Sequence, residues 1–177
     1  VTPTSGPIDC DLSIIIVSWN VWPLLGGCLR SLENASRAIP GEPYLRHFGP
    51  SGSPAALEVI VVDNASQDAT LAELPQVFPW VNLIASGGNL GFTRGNNLGY
   101  SASRGRYIYF LNPDTELDQG HTHRLAAARG LPPPYDSLWV LYAAIAETQC
   151  IGMVGPQLRY PDGGQQGSVR RFPSPPT

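Results

Sequence analysis

The sequence contains no lysine: all eleven of its basic residues are arginine. That excludes the phosphate loop ending in Gly-Lys-Ser/Thr, whose lysine reaches the terminal phosphates. Charge of either sign is scarce. Charged residues make up 14% of the chain and the formal net charge is −3, which argues against the basic face of a nucleic-acid binder. Cysteine is limited to Cys10, Cys28 and Cys150. Their odd number and lack of metal-ligand spacing point to reduced thiols in a cytosolic protein. No apolar run is long enough to span a bilayer, and no charged-then-apolar leader opens the chain. There is no internal repeat. The chain starts at Val1 and ends in a proline-rich tail, which reads as a trimmed or partial chain.

What is present is a core and a regular alternation. The 177 residues, 42% of them hydrophobic, suit one domain or a large part of one. Leu12 to Val17, Leu57 to Val62, Val81 to Ala85 and Tyr107 to Leu111 are short apolar, β-branched or aromatic runs, the pattern of buried strands. Between them, Leu24 to Ala35 has apolar residues at helical spacing, and Gln67 to Gln76 and Phe92 to Ser103 read as helices. Ser66 is the expected cap of the second helix, with Asp68 in its first turn. The alternation predicts an α/β fold with a mostly parallel central sheet flanked by helices. Residues 1–11 read as a lead-in, 12–173 as the domain and 174–177 as a disordered tail. Within the domain, 40–56 is rich in Pro, Gly and Ser and reads as an exposed loop or insertion, and 130–149 as a second insertion. Helices are expected over 120–129 and 137–148, and a fifth strand over 151–158.

The chemistry-bearing residues collect at strand ends. Ser18 and Asn20, Asp63 and Asn64, and Asn112 and Asp114 each follow an apolar run. In a parallel sheet the carboxyl ends of the strands share one edge, where open α/β sheets hold ligands. Pro113 ends its strand. If the backbone stays extended across it, Asn112 and Asp114 project to one side. Oxygen ligands of this kind suit Mg²⁺ or Mn²⁺ bound with substrate phosphates. A second constellation is the glycine-rich stretch Gly87 to Asn97, with Arg94, at a helix start, a setting that attracts phosphate. It lacks the G-x-G-x-x-G spacing and follows the third strand, not the first, which counts against a dinucleotide oxidoreductase. His121-Thr122-His123 reads as a surface turn, because residues two apart do not share a helix face. Arg170 and Arg171 read as a solvated pair, Cys28 and Cys150 as interior thiols, and Trp139 and Tyr142 as core.

Four segments together, SIIIVSWN (13–20), LEVIVVDNASQDAT (57–70), the glycine-rich stretch at 87–100 and YIYFLNPDTEL (107–117), resemble the family 2 glycosyltransferases of the A-type, Rossmann-like nucleotide-diphospho-sugar transferase fold. Residues 152–173 are similar to the continuation seen in the rhamnosyltransferase-like subgroup. The resemblance implies a nucleotide-sugar donor site. Ser18, Asn20 and Asp63 would meet the nucleobase; Gly91, Arg94, Gly95 and Asn96 would line the nucleotide, with Asn64 in the same nucleotide-sugar site. Asn112-Pro113-Asp114 stands where the family has its Asp-x-Asp metal motif, with Asp114 the main anchor and Asn112 helping; Asp114-Thr115-Glu116 is the lesser alternative frame. It implies inverting, metal-assisted transfer from a UDP- or dTDP-sugar to a saccharide or lipid-linked acceptor. The setting it implies is cell-envelope or exopolysaccharide synthesis, in the cytoplasm or at the inner membrane face, with peripheral membrane association, and without nucleic acid. The family's catalytic base lies downstream of the metal motif, and none of Glu116, Asp118 and Asp162 matches its position. The base is therefore expected beyond Thr177, and the alternative is a non-catalytic nucleotide-sugar-binding module.

Overall fold

A computed structural model describes residues 9–117 and 136–167. The chain divides into two compact units, Val1–Trp139 and Val140–Thr177. The first holds a six-stranded sheet. In chain order the elements are β1 (Leu12–Ser18), α1 (Trp22–Asn34), β2 (Ser36–Ile39), β3 (Glu42–Phe48), β4 (Ala55–Asp63), α2 (Thr70–Val77), β5 (Asn82–Ala85), α3 (Gly91–Ala102), β6 (Tyr107–Phe110) and α4 (Ser137–Glu147).

β1 lies between β4 and β6 and is parallel to both. β4 is long enough to serve two neighbours on its other edge. Its first residues pair antiparallel with β3, and Ile60 to Asp63 pair parallel with β5. The chain therefore leaves β1 toward β4 and β5, then returns to β6 on the opposite side. That reversal makes a topological switch point beside β1, the place where open α/β sheets bind ligands.

Burial follows from composition. All nine residues of β4 are buried, as are six of the seven in β1. Ile14, Ile15 and Ile16 are successive and inaccessible; because strand side chains alternate, both faces of the sheet are covered there. Helix α1 starts at Trp22-Pro23, where the missing proline N–H costs nothing. It buries Leu25, Cys28, Leu29 and Leu32, one helical stripe. Helix α3 approaches the sheet through glycines: a β-carbon at Gly95 would lie 2.9 Å from Val17 Cγ1.

Several expectations need correction. The 40–56 stretch is not a loop. Pro40 and Gly41 (φ +84°) turn the chain between β2 and β3, as Pro followed by Gly does in a type II turn. β3 then buries Leu45 and Phe48. Proline and glycine at the two ends of the stretch hid the strand between them. Ser66 does not cap α2, which starts at Thr70 after Ala69 and has no side-chain cap bond. No strand forms over 151–158; the second unit instead holds a tight return around Asp162, with an isolated bridge between Arg159 and Gln165. Cys150 is exposed, not interior. Trp139 meets Phe48 edge to face, ring centroids 6.0 Å apart. The regions of His121, His123, Arg170 and Arg171, the 120–129 helix and the 174–177 tail lie outside the described residues. Among the described residues, no helix is long and apolar enough to cross a membrane.

Candidate functional site at the carboxyl edge of the sheet

The ends of β1 and β4 place Ser18 and Asp63 opposite each other, as partners in register. Both are buried, at 0% and 1% exposure. Ser18 Oγ and Asp63 Oδ1 have no hydrogen-bond partner among the described residues. Asp63 Oδ2 accepts the Ser66 N–H at 3.1 Å. An orphaned buried polar atom costs about 1–3 kcal/mol, so two side by side are an expensive arrangement unless something else satisfies them.

The neighbouring polar residues are differently employed. Asn64 is buried and both ends of its amide are committed: Oδ1 accepts the Leu90 N–H at 2.7 Å and Nδ2 donates to Asn89 Oδ1 at 3.0 Å. It ties the end of β4 to the glycine-rich turn. Asn20 sits at φ 55°. Its N–H donates to Ser66 Oγ at 3.0 Å, and its Oδ1 accepts the Gln67 N–H at 2.6 Å. Asp68 Oδ2 accepts the Trp22 N–H at 2.8 Å, while its Oδ1 accepts the Thr70 N–H and hydroxyl at 3.0 and 2.6 Å. Reading the sequence credited Asp68 only with a helix-dipole role. The available signal was an aspartate two residues before threonine, a common local turn.

The glycine-rich turn divides by role. Gly91 opens α3 at φ +74°, a conformation that asks for glycine, and has open space around it. Arg94 is exposed. Asn96 is half-buried and its Nδ2 donates to Phe92 O at 2.9 Å. Gly95 is buried against Val17, so its smallness lets α3 close on the sheet.

The segment after β6 carries Asn112 and Asp114, both exposed. The chain is not extended across Pro113. Thr115 N–H returns to Asn112 O at 3.2 Å, closing a turn, so strand alternation does not govern where the two side chains point. Helix α1 seats this turn. Cys28 Sγ donates to Asn112 O at 3.8 Å, and Ser31 Oγ accepts the Leu117 N–H at 3.1 Å. Glu116 lies against Gly27, where a β-carbon would come within 2.5 Å of its Oε1. Burial, and then the Glu116 and Asp114 carboxylates, push the Cys28 thiol up to about 12, so it stays a neutral thiol.

The donor chemistry at Asn112 and Asp114 is one carboxylate and one amide oxygen, hard and open to solvent. Among the described residues no group of three or more His, Cys, Asp or Glu could hold an ion unaided. That set fits a divalent cation that keeps waters and takes further oxygens from a diphosphate.

Two curated relatives, the N-acetylglucosaminyl-diphospho-decaprenol L-rhamnosyltransferases of two Mycobacterium tuberculosis strains, are 30% identical over 149 residues. The match covers 76% of this chain, which spans 43% of the length of those relatives. Among solved structures, S. aureus TarS in complex with UDP-GlcNAc is 21% identical, with 66% of this chain and 30% of that one covered and a TM-score of 0.46. The mannosyltransferase PcManGT from Pyrobaculum calidifontis, in complex with GDP-Man and Mn²⁺, is 18% identical, covers 74% and 37%, and has a TM-score of 0.47. The Glycosyl transferase family 2 model matches residues 13–138, a span that starts on β1 and takes in every rim residue described above, and the chain belongs to that family.

Proposed function

We propose that this chain is the donor-binding portion of an inverting glycosyltransferase that uses a UDP- or dTDP-sugar. The observation that carries the reading is the pair of unpartnered buried oxygens, Ser18 Oγ and Asp63 Oδ1, at the carboxyl edge of the sheet. A carboxylate oxygen accepts only, whereas a serine hydroxyl donates or accepts. Together they complement the imide edge of uracil or thymine: the ring N–H gives to Asp63 and a ring carbonyl accepts from Ser18. The diphosphate then runs toward Asn112 and Asp114, with Gly91, Arg94 and Asn96 lining its path.

Asp114, assisted by Asn112, would hold Mg²⁺ or Mn²⁺ against the diphosphate. A divalent ion there supplies electrostatic stabilisation of the charge that develops on the leaving oxygen. In the transfer itself, an acceptor hydroxyl forms a bond to the anomeric carbon as the bond from that carbon to the diphosphate oxygen breaks. The hydroxyl proton passes to a carboxylate base, which this reading places in the remainder of the protein, and one displacement inverts the centre. The curated relatives are named for rhamnosyl transfer involving N-acetylglucosaminyl-diphospho-decaprenol, which supports a saccharide or lipid-linked acceptor; the reading extends to cell-envelope or exopolysaccharide synthesis at the cytoplasmic membrane face.

Calorimetry of the chain with UDP, dTDP and GDP, with and without Mn²⁺, tests the reading. The expected result is binding of a pyrimidine diphosphate that strengthens with Mn²⁺ and weakens about tenfold or more in Asp63→Ala. No binding of any nucleoside diphosphate, or equal binding by wild type and Asp63→Ala, would overturn it.

A further inference from the structure

The loops that follow β1 and β4 are joined across the rim by hydrogen bonds from both sides. Asn20 gives its N–H to Ser66 Oγ and takes the Gln67 N–H on its side-chain oxygen. Asp68 takes the Trp22 N–H. Trp22 is the first residue of α1, whose N-cap, Val21, offers no side-chain acceptor. Helix α1 is thus capped by a carboxylate from the other loop. The Trp22 indole N–H adds a bond to Glu73 Oε2 at 2.7 Å, so the clasp extends into α2. Slight burial works to raise Asp68, but the Thr70 hydroxyl and the Trp22 and Thr70 N–H groups outweigh it and hold the carboxyl below its usual value.

The backbone is also constrained. Asn20 and Ala65 are the non-glycine residues with positive φ among the described residues, at 55° and 65°, one in each loop. Such conformations persist where surrounding bonds over-determine them. Ser18 precedes Asn20 by two residues and Asp63 precedes Ala65 by two, so each positive-φ residue follows an orphaned oxygen closely in the chain.

We propose that Asn20 and Asp68 are positioning residues. They clasp the two rim loops into one body and so hold Ser18 and Asp63 at the spacing a nucleobase edge needs. The inference rests on the donor-site reading above, and it reassigns Asn20, for which the family resemblance implied contact with the nucleobase.

The test uses three variants of the 177-residue chain. Asn20→Gly removes the acceptor while tolerating the positive φ. Asn20→Asp keeps both the acceptor and that tolerance. Asp68→Ala opens the clasp from the other side. In calorimetry, Asn20→Gly and Asp68→Ala should weaken UDP or dTDP binding about tenfold or more, and leave pyrophosphate with Mn²⁺ within about twofold. Asn20→Asp should bind nucleotide within about threefold of wild type. If Asn20→Asp is as weak as Asn20→Gly, the amide touches the base directly and the proposal is overturned. Wild-type affinity in Asn20→Gly or Asp68→Ala overturns it as well, and so does an equal loss of pyrophosphate binding. Amide exchange without ligand is the independent arm. Gln67 N–H in Asn20→Gly and Trp22 N–H in Asp68→Ala should exchange about tenfold faster or more, and unchanged exchange sinks the clasp. If wild type binds no nucleoside diphosphate, the donor-site reading fails, while exchange still decides whether the clasp exists.

Discussion

Ser13 and Glu58 meet inside the sheet as register partners on β1 and β4, joined by a 2.6 Å hydrogen bond from Ser13 Oγ to Glu58 Oε1. They occupy the opposite end of the strands from Ser18 and Asp63. The same Oε1 accepts the Arg104 N–H at 2.7 Å, and Ser13 Oγ accepts the Gly105 N–H at 2.8 Å. This network pins the connection between α3 and β6, and so sets where β6 begins. Glu58 is 2% exposed, whereas the Arg104 side chain, 3.3 Å from Glu58 Oε2, is 60% exposed.

Glu58→Ala is therefore expected to cost about 2–3 kcal/mol, because buried N–H and O–H donors lose their acceptor. Arg104→Ala is expected to cost less than about 1 kcal/mol, because water screens that ion pair and the backbone bond survives. Urea denaturation of the two variants checks the ranking. Equal losses would mean that the ion pair, and not the buried network, holds this corner.

At the other end of the strands the expectation reverses. Removing the orphaned hydroxyl in Ser18→Ala should leave stability unchanged or raise it by up to about 1 kcal/mol. Nucleotide affinity should fall about fivefold, the value of one neutral hydrogen bond. A destabilisation above about 2 kcal/mol would show that Ser18 has a structural partner.

How much of this was legible beforehand depends on whether a residue's role is local. The four parallel strands announced themselves as near-continuous apolar, β-branched or aromatic runs, and the convergence of Ser18, Asp63 and Asn112 on one edge follows from parallel topology alone. β3 did not, because seven strand residues were flanked by turn-forming ones that dominate any window. The clasp was invisible for a different reason. Asn20, Asn64 and Asp68 look alike as polar residues after a strand. Whether each faces a ligand or a neighbouring loop depends on bonds between residues 25 to 47 positions apart, which no short pattern encodes. Ile151 to Leu158 failed as a strand because apolar content without a partner strand forms no ladder.

Glycine offers a contrast that magnitudes decide. In a helix, replacing glycine by alanine stabilises by about 0.5–1 kcal/mol when space allows. Gly26 on α1 has nothing within 4 Å of the position a β-carbon would take, whereas at Gly99 on α3 that atom would sit 2.5 Å from Ile15 Cγ2 and 3.3 Å from Val62 Cγ2. Gly26→Ala should raise the melting temperature. Gly99→Ala should lower stability by about 1–3 kcal/mol, since overpacking against β-branched core residues exceeds the entropic gain. A stabilised Gly99→Ala would mean that α3 can lift off the sheet without loss.

The thiols should respond to pH and reagent in a set order. Burial first, and then the Glu58 carboxylate, push Cys10 from 9.0 to about 11. A thiol whose folded value is raised contributes stability below the unfolded value, and that contribution is lost between pH 9.0 and about 11 as the unfolded chain ionises first. Cys10→Ala should show a shallower fall of stability across that window. In the native chain at pH 8, exposed Cys150 should react first with a thiol reagent, ahead of Cys10 and buried Cys28. Fast labelling of Cys28 would contradict the seating of the 112–117 segment on α1.

That segment supports the sharpest charge prediction. Asn112 and Asp114 are both exposed, so changing either should leave the melting temperature nearly unmoved. Asp114→Asn removes the formal charge at the motif and should abolish most of the Mn²⁺-dependent gain in nucleoside diphosphate affinity, about tenfold or more. Asn112→Asp adds a second hard anion beside the first and should tighten Mn²⁺ binding measured by spin resonance with UDP present. The opposing force is repulsion between the two carboxylates, with Glu116, which lies against Gly27 of α1, in the same segment, and in the absence of metal it should make Asn112→Asp slightly less stable than wild type. Adding Mn²⁺ should reverse that deficit, since an ion bound only by the folded state stabilises it. If Mn²⁺ leaves Asn112→Asp no more stable, and Asp114→Asn keeps the full metal effect, the cation is held elsewhere on the rim.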